Sequence, residues 1–270
     1  MKRSMAPAML GVLLFGYAFL YLPILSLILY SFNASKLVTV WGGFSTRWYG
    51  ALLQNEALLS ALKNSLIVAF LSATLAVVIG TAAALGLSRL GRFRGRTTLS
   101  VLTTTPLVMP EVMLGLSALL LFVTLQQLFG WPQQRGIVTI TIAHVVLCSC
   151  YVTVIVQSRL RQMDDSLEEA AMDLGAKPWK VFFLITLPLI APALLAGWLL
   201  AFTLSLDDLV VASFTSGPGA TTLPMEVYSR VRLGLSPEIN ALATLIIGFV
   251  GFALLVTWLV YRRQDRKPPA

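Results

Sequence analysis

Asp164-Asp165-Ser166-Leu167-Glu168-Glu169-Ala170-Ala171-Met172-Asp173-Leu174-Gly175-Ala176-Lys177-Pro178-Trp179-Lys180 is a polar island in a chain otherwise built from apolar runs. Its composition predicts a short helix with both ends marked. Ser166 followed three residues later by Glu169 fits a reciprocal capping box, and the acids crowd the positive end of the helix dipole. Gly175 suits the left-handed turn that stops a helix, and Pro178 suits the first turn of the next one. Leu167, Ala170, Ala171 and Leu174 recur at i, i+3, i+4 and i+7, a narrow apolar stripe opposite Glu168 and Asp173. Two turns are not stable alone in water. A helix over 166–175 therefore needs a surface, either its own bundle or a groove in a separate protein.

What flanks this island is membrane. Of the 270 residues 57% are apolar and 12% charged, with a mean hydropathy of +0.82. A soluble domain carries about 25% charged residues, so a large soluble domain is excluded. Apolar runs at 8–32, 64–88, 99–126, 137–157, 181–206 and 241–261 each reach the roughly 20 residues that a crossing helix needs. The expectation is an all-α polytopic membrane protein with six transmembrane helices, one domain over 1–270. The first run is too long for a signal-peptide core and lacks a small-residue cleavage site, so it reads as a retained helix.

Six spans put both ends on one side. The two ends and the loops at 89–96 and 159–180 hold fourteen of the 20 Lys and Arg, beginning with Lys2 and Arg3 and ending with Arg266 and Lys267. Positive charge collects on the cytoplasmic side, so both termini are expected there. That distribution accounts for the net charge of +8 as topology, with no nucleic acid among the partners. Cys148 and Cys150 would point apart on a helix, which disfavours a disulfide or a metal pair. His144 has no second ligand at metal-binding spacing and reads as a hydrogen-bonded interior histidine.

Several residues stand out within the spans. Ser72, Ala76, Gly80, Ala84 and Ser88 place small side chains every fourth position, a face for close helix packing. Pro106 with Pro110, and Pro188 with Pro192, remove backbone donors; each pair marks either a packing kink or a break lining a watery route. Acids at membrane depth are functional candidates. Glu111 lies twelve residues into the third run, about 18 Å along at 1.5 Å per residue, near mid-bilayer; it also suits the N-terminus of a half-helix restarted by Pro110. Asp207 and Asp208 follow Ser205 at the end of the fifth run, where negative charge opposes the helix dipole. Either a cation compensates them or one caps the following turn in solvent.

Glu169-Ala170-Ala171, Gly175 and Ile185-x-Leu187-Pro188, at fixed spacing before the penultimate span, resemble the EAA signature of permease subunits of bacterial binding-protein-dependent ABC importers. The resemblance runs over nearly the whole chain, including Trp48-Tyr49 before the second span. It implies the MetI-like type I importer permease fold. It also implies that Ser166, Leu167, Glu169, Ala170, Ala171, Leu174 and Gly175 belong to a coupling helix seated in a cytoplasmic ATPase dimer. The chain contains no G-x-x-x-x-G-K-[ST] phosphate loop, so energy would come from that partner, and no catalytic residue, metal or cofactor is expected here.

Pro110-Glu111-Val112, Ser205-Leu206-Asp207-Asp208, Gly217-Pro218-Gly219, Thr221-Thr222-Leu223-Pro224 and Leu235-Ser236-Pro237-Glu238-Ile239-Asn240-Ala241 narrow the likeness to the second permease of bacterial polyamine importers. That implies putrescine first, or spermidine, as substrate. It also implies a periplasmic polyamine-binding protein, a sister permease completing a heterodimer, and membrane lipid around the pair in the inner membrane. Trp48, Glu111, Ser205, Asp207 and Asp208 become the expected pathway residues, with carboxylates for the ammonium ends and an aromatic face for stem or cation. The external loop 214–238 would contact the binding protein or cover the route. Rival readings are the same importer class carrying iron or a sulfonate, a stand-alone channel or secondary transporter, and an intramembrane prenyl transferase. The last is poorly served, because Asp207-Asp208 lacks a further acid three residues on.

Overall fold

The computed structural model describes residues 5–37, 40–234 and 237–264, and its regular elements are helices, with one isolated bridge between Asn33 and Phe44. Lys2, Arg3, Arg266 and Lys267, and Leu235-Ser236 of the quoted motif, lie outside the described residues. In chain order the helices are α1 (Met5–Ser31), α2 (Arg47–Gln54), α3 (Glu56–Arg89), α4 (Arg96–Val108), α5 (Glu111–Phe129) and α6 (Ile137–Gln162). They continue as α7 (Ser166–Asp173), α8 (Pro178–Val181), α9 (Leu187–Asp207), α10 (Val210–Thr215), α11 (Leu223–Leu233) and α12 (Pro237–Gln264), with a π turn at Phe182–Thr186 joining α8 to α9.

Among the described residues five stretches are long and apolar enough to cross a membrane: Met9–Ser31, Glu56–Arg89, Glu111–Phe129, Ile137–Gln162 and Pro178–Asp207. The sixth expected run falls within α12, whose segment Pro237–Phe252 is apolar. The third run is corrected. It is not one helix over 99–126 but two, α4 and α5, separated by extended backbone at Met109 and Pro110. Proline disfavours the helical conformation in the residue before it and supplies no N–H to the turn behind it. Glu111 consequently opens α5, at the N-terminus of the half-helix restarted by Pro110. Pro188 and Pro192 give no such break: Pro188 falls in the first turn of α9, where its missing N–H is tolerated, and α9 runs through Pro192 to Asp207.

The chain forms two compact units. In Ser60–Glu226 the core is Ala73, Ala76 and Ala84 of α3, Cys148, Val152, Val156 and Leu160 of α6, and Ile190 and Ala201 of α9. The small-residue stripe lies in that contact. A Cβ on Gly80 would stand 2.8 Å from the Ser149 carbonyl oxygen, so no side chain on α3 could fit between the two helices there. Thr153 Oγ1 donates to the Gly80 carbonyl at 3.3 Å. Near α10, Val68, Ile140, Ala212 and Ala220 form a second buried cluster.

The other unit comprises Met1–Leu59 with Val227–Ala270. In it α12 packs on α1 and α2. Glu238 accepts from Asn55 Nδ2 at 2.6 Å and pairs with Arg230 at 3.3 Å, tying the starts of α3 and α12 to α11. The apolar residues of α1 from Met9 to Leu25 are exposed, an arrangement that suits lipid or another membrane subunit and not water.

Candidate functional site

Two helix breaks carry the free acids. Where α4 stops and α5 begins, Glu111 is exposed and makes no hydrogen bond or ion pair among the described residues. Where α9 stops, Asp207 is likewise exposed, while its neighbour Asp208 is buried. α5 and α10 pack side by side, tightly enough that a Cβ on Gly115, one turn beyond Glu111, would meet the Phe214 ring at 2.6 Å. The last carbonyls of α4 and α9 lack intrahelical donors and sit at the negative ends of their helix dipoles. Asp207, in the last turn of α9, therefore favours a cation, whereas Glu111 also faces the positive end of α5. Between α5, α6 and α10 lies a cavity of about 210 Å³ lined by Leu114, Ser117, Phe122, Ile142, Val146 and Val211, a wall suited to methylene groups.

Asp208 has a different task. Its Oδ2 lies 3.1 Å from His144 Nε2 and accepts the Ala212 N–H at 2.7 Å, and its Oδ1 accepts the Val211 N–H at 3.3 Å. It therefore caps α10 from within the protein, where the expectation has one of the acids capping a turn in solvent. His144 Nδ1 hydrogen-bonds Ser205 Oγ at 2.7 Å, so the imidazole ties α6 to both sides of the α9 break. The Ser-His-Asp chain resembles a hydrolytic triad in connectivity alone, because Ser205 and His144 are buried. His144 is the hydrogen-bonded interior histidine expected of it.

The cytoplasm-facing helix of the sequence reading is α7. Its C-terminus is as expected: Gly175 takes φ +85°, the Gly175 N–H donates to the Met172 carbonyl at 2.9 Å, and the Ala176 N–H donates to Ala171 at 3.0 Å. These two bonds make a Schellman cap. The N-terminus is corrected. Ser166 and Glu169 form no capping box; instead Asp164 Oδ1 accepts the Ser166 N–H at 3.0 Å. That bond and the Ser166 side chain hold the Asp164 carboxyl below the usual carboxylate range. Leu167, Ala170 and Leu174 are exposed, Leu174 at 90%, so the apolar stripe apart from Ala171 is open among the described residues. Ser166 and Glu169 are exposed and Ala171 half-buried.

Residues 76–267 match the model of the family described as binding-protein-dependent transport system inner membrane component. The chain belongs to this family. It is 59% identical over 262 residues to the putrescine transport system permease protein PotI of Escherichia coli (strain K12), covering 97% of this chain and 93% of that one. With the spermidine/putrescine transport system permease protein PotC of the same strain it shares 41% identity over 264 residues, covering 96% and 97%. A bacterial ABC transporter for import of the acidic polysaccharide alginate matches in structure, with TM-score 0.72, 17% identity, and 97% and 98% coverage. That last likeness carries the fold alone.

In this permease the sequence-derived residues separate. Glu111 and Asp207 stand free at helix breaks, whereas Ser205 and Asp208 are consumed by His144. Trp48 is buried in the unit that holds α1 and α2; its Nε1–H donates to the Asn33 carbonyl at 2.6 Å, and the Arg47 guanidinium covers its ring at 4.3 Å. With indole and ring face both engaged, Trp48 holds the loop in place. The sequence reading passed over Arg89 and Glu168 as functional residues. Arg89 pairs with Asp165 and, at 3.0 Å, with Glu168. The available signal was an arginine ending a span, opposite an acid on the non-apolar side of α7.

Proposed function

We propose that this permease moves a polyamine, putrescine before spermidine, across a bacterial inner membrane as one half of a heterodimeric pathway, with both termini cytoplasmic. The observation that carries the reading is 59% identity to PotI over 97% of the chain. The chemistry of the site supports it, since Asp207 at the negative end of α9 and the unpaired Glu111 that opens α5 are free carboxylates that attract ammonium groups, and the apolar cavity accepts methylene carbons. Glu111 and Asp207 meet the substrate; Ser205 and Asp208 position the break. A periplasmic polyamine-binding protein delivers the substrate, and a cytoplasmic ATPase dimer seats the exposed face of α7. ATP-driven closure of that dimer displaces α7, and the bundle alternates between outward and inward access.

The test is uptake of labelled putrescine into cells stripped of their own polyamine importers and given this chain with its ATPase, sister permease and binding protein. Saturable uptake that spermidine inhibits, and that stops when the ATPase cannot hydrolyse ATP, is expected. Absence of polyamine uptake, or uptake that persists without the ATPase, would overturn the reading.

A further inference from the structure

We propose that Arg89, Glu168 and Thr186 form the link that passes movement of α7 into the ends of α3 and α9; the proposal rests on α7 being the ATPase contact. α7 has no buried residue, yet one of its side chains is turned inward: the Glu168 side chain is 15% exposed, while Leu167 is 48% exposed. Among the described residues Glu168 makes every side-chain hydrogen bond and ion pair from α7 to another element. Its two oxygens go different ways. Oε1 accepts from Thr186 Oγ1 at 2.7 Å, and Oε2 lies 3.0 Å from Arg89 Nε. Arg89 also pairs with Asp165 and reaches the Leu160 carbonyl, at the end of α6, at 3.5 Å.

The position of these partners argues for transmission. Arg89 ends α3, where a cation complements the negative helix end. Thr186 closes the π turn that leads into α9, and π turns inside helices cluster at functional sites. α9 in turn ends at Asp207. One carboxylate thus holds the start of the helix whose far end carries the free acid, and a second carboxylate, Asp165, shares its guanidinium. The Thr186–Glu168 bond is charge-assisted and directional, while Arg89 Nε and Glu168 are held by ion pairing without hydrogen-bond geometry. A displacement of α7 that the apolar stripe alone could absorb by sliding is instead carried into α3 and α9.

The experiment reconstitutes the complete importer in liposomes with putrescine and measures ATP hydrolysis and uptake separately. Glu168→Leu and Arg89→Leu should each leave the complex assembled and hydrolysing ATP while putrescine moved per ATP falls about tenfold. The double variant should fall no further, as residues in one network are not additive. Thr186→Val, which keeps shape and removes the donor, should lower the same ratio in a complex that assembles normally. An unchanged ratio in Thr186→Val and Glu168→Leu, or a double variant with multiplied losses, overturns the link. Leu167→Glu on the exposed stripe separates the two levels: if it leaves ATPase binding and uptake intact, the reading of α7 itself fails. If it abolishes binding while Glu168→Leu is silent, the link fails alone.

Discussion

His144 Nε2 lies 3.1 Å from Asp208 Oδ2 while its Nδ1 lies 2.7 Å from Ser205 Oγ, so one buried imidazole clasps the chain on both sides of the α9 break. The adjacent acids are thereby divided, Asp207 outward and Asp208 inward. Asp208→Asn weakens a charge-assisted bond and a helix cap, together worth about 1–3 kcal/mol. It should lower the melting temperature of the purified permease and the amount recovered from membranes. Asp207→Asn should leave both unchanged and raise the putrescine concentration for half-maximal uptake about tenfold. Thermal melts beside uptake curves check the division, and the reverse pattern would reassign the two acids.

The difference between these neighbours was not legible in the sequence, because it depends on which way α10 leaves the break and on His144 lying opposite, 64 residues away along the chain. What was legible follows from local rules. Four of the six apolar runs, the small stripe on α3 and the Gly175 stop each depend on spacing within one helix and stand among the described residues, while the third run splits and the sixth falls within α12. Pro110 is a disruption in any reading, but whether a proline bends a helix or ends it depends on what packs beside it, and here α4 and α5 separate. The capping box failed because Asp164, two residues earlier, took the Ser166 N–H first. Arg89 and Glu168 are joined only by folding, and no helical period connects them.

Glu111 stands at the start of α5 with no partner among the described residues. Glu111→Gln removes its charge at nearly constant shape, so helix α5 should persist. Putrescine uptake should fall about tenfold, equal to roughly 1.4 kcal/mol at this site. Complex assembly, checked by co-purification of the ATPase, should survive. Uptake at the parental rate would remove Glu111 from the pathway.

Gly80 marks a close approach of α3 to α6: a methyl group at its Cα would stand 2.8 Å from both the Ser149 carbonyl oxygen and Val152 Cβ. Gly80→Leu cannot be accommodated without separating the two helices, an overpacking cost of about 1–3 kcal/mol or more. The expected result is loss of folded protein in the membrane, read by protease resistance. Gly11→Leu, with open space around it, serves as the control that should fold normally.

Trp48 distinguishes a structural aromatic from a substrate-contacting one. Asn33 organises the loop it supports: its Oδ1 accepts the Ser35 and Gly42 N–H groups at 3.1 and 2.7 Å, and its Nδ2 donates to the Val40 carbonyl at 2.7 Å. The Trp48 N–H binds the carbonyl of the same residue. Trp48→Phe keeps a ring under Arg47 and deletes that donor, leaving a buried acceptor unpaired, which costs about 1–3 kcal/mol. The permease should melt earlier and the 33–48 loop should become more sensitive to protease, while half-maximal putrescine concentration stays unchanged in the surviving protein. A raised half-maximal concentration with an unaltered melt would instead place the indole on the substrate route, because a cation on the ring face loses strength when tryptophan becomes phenylalanine.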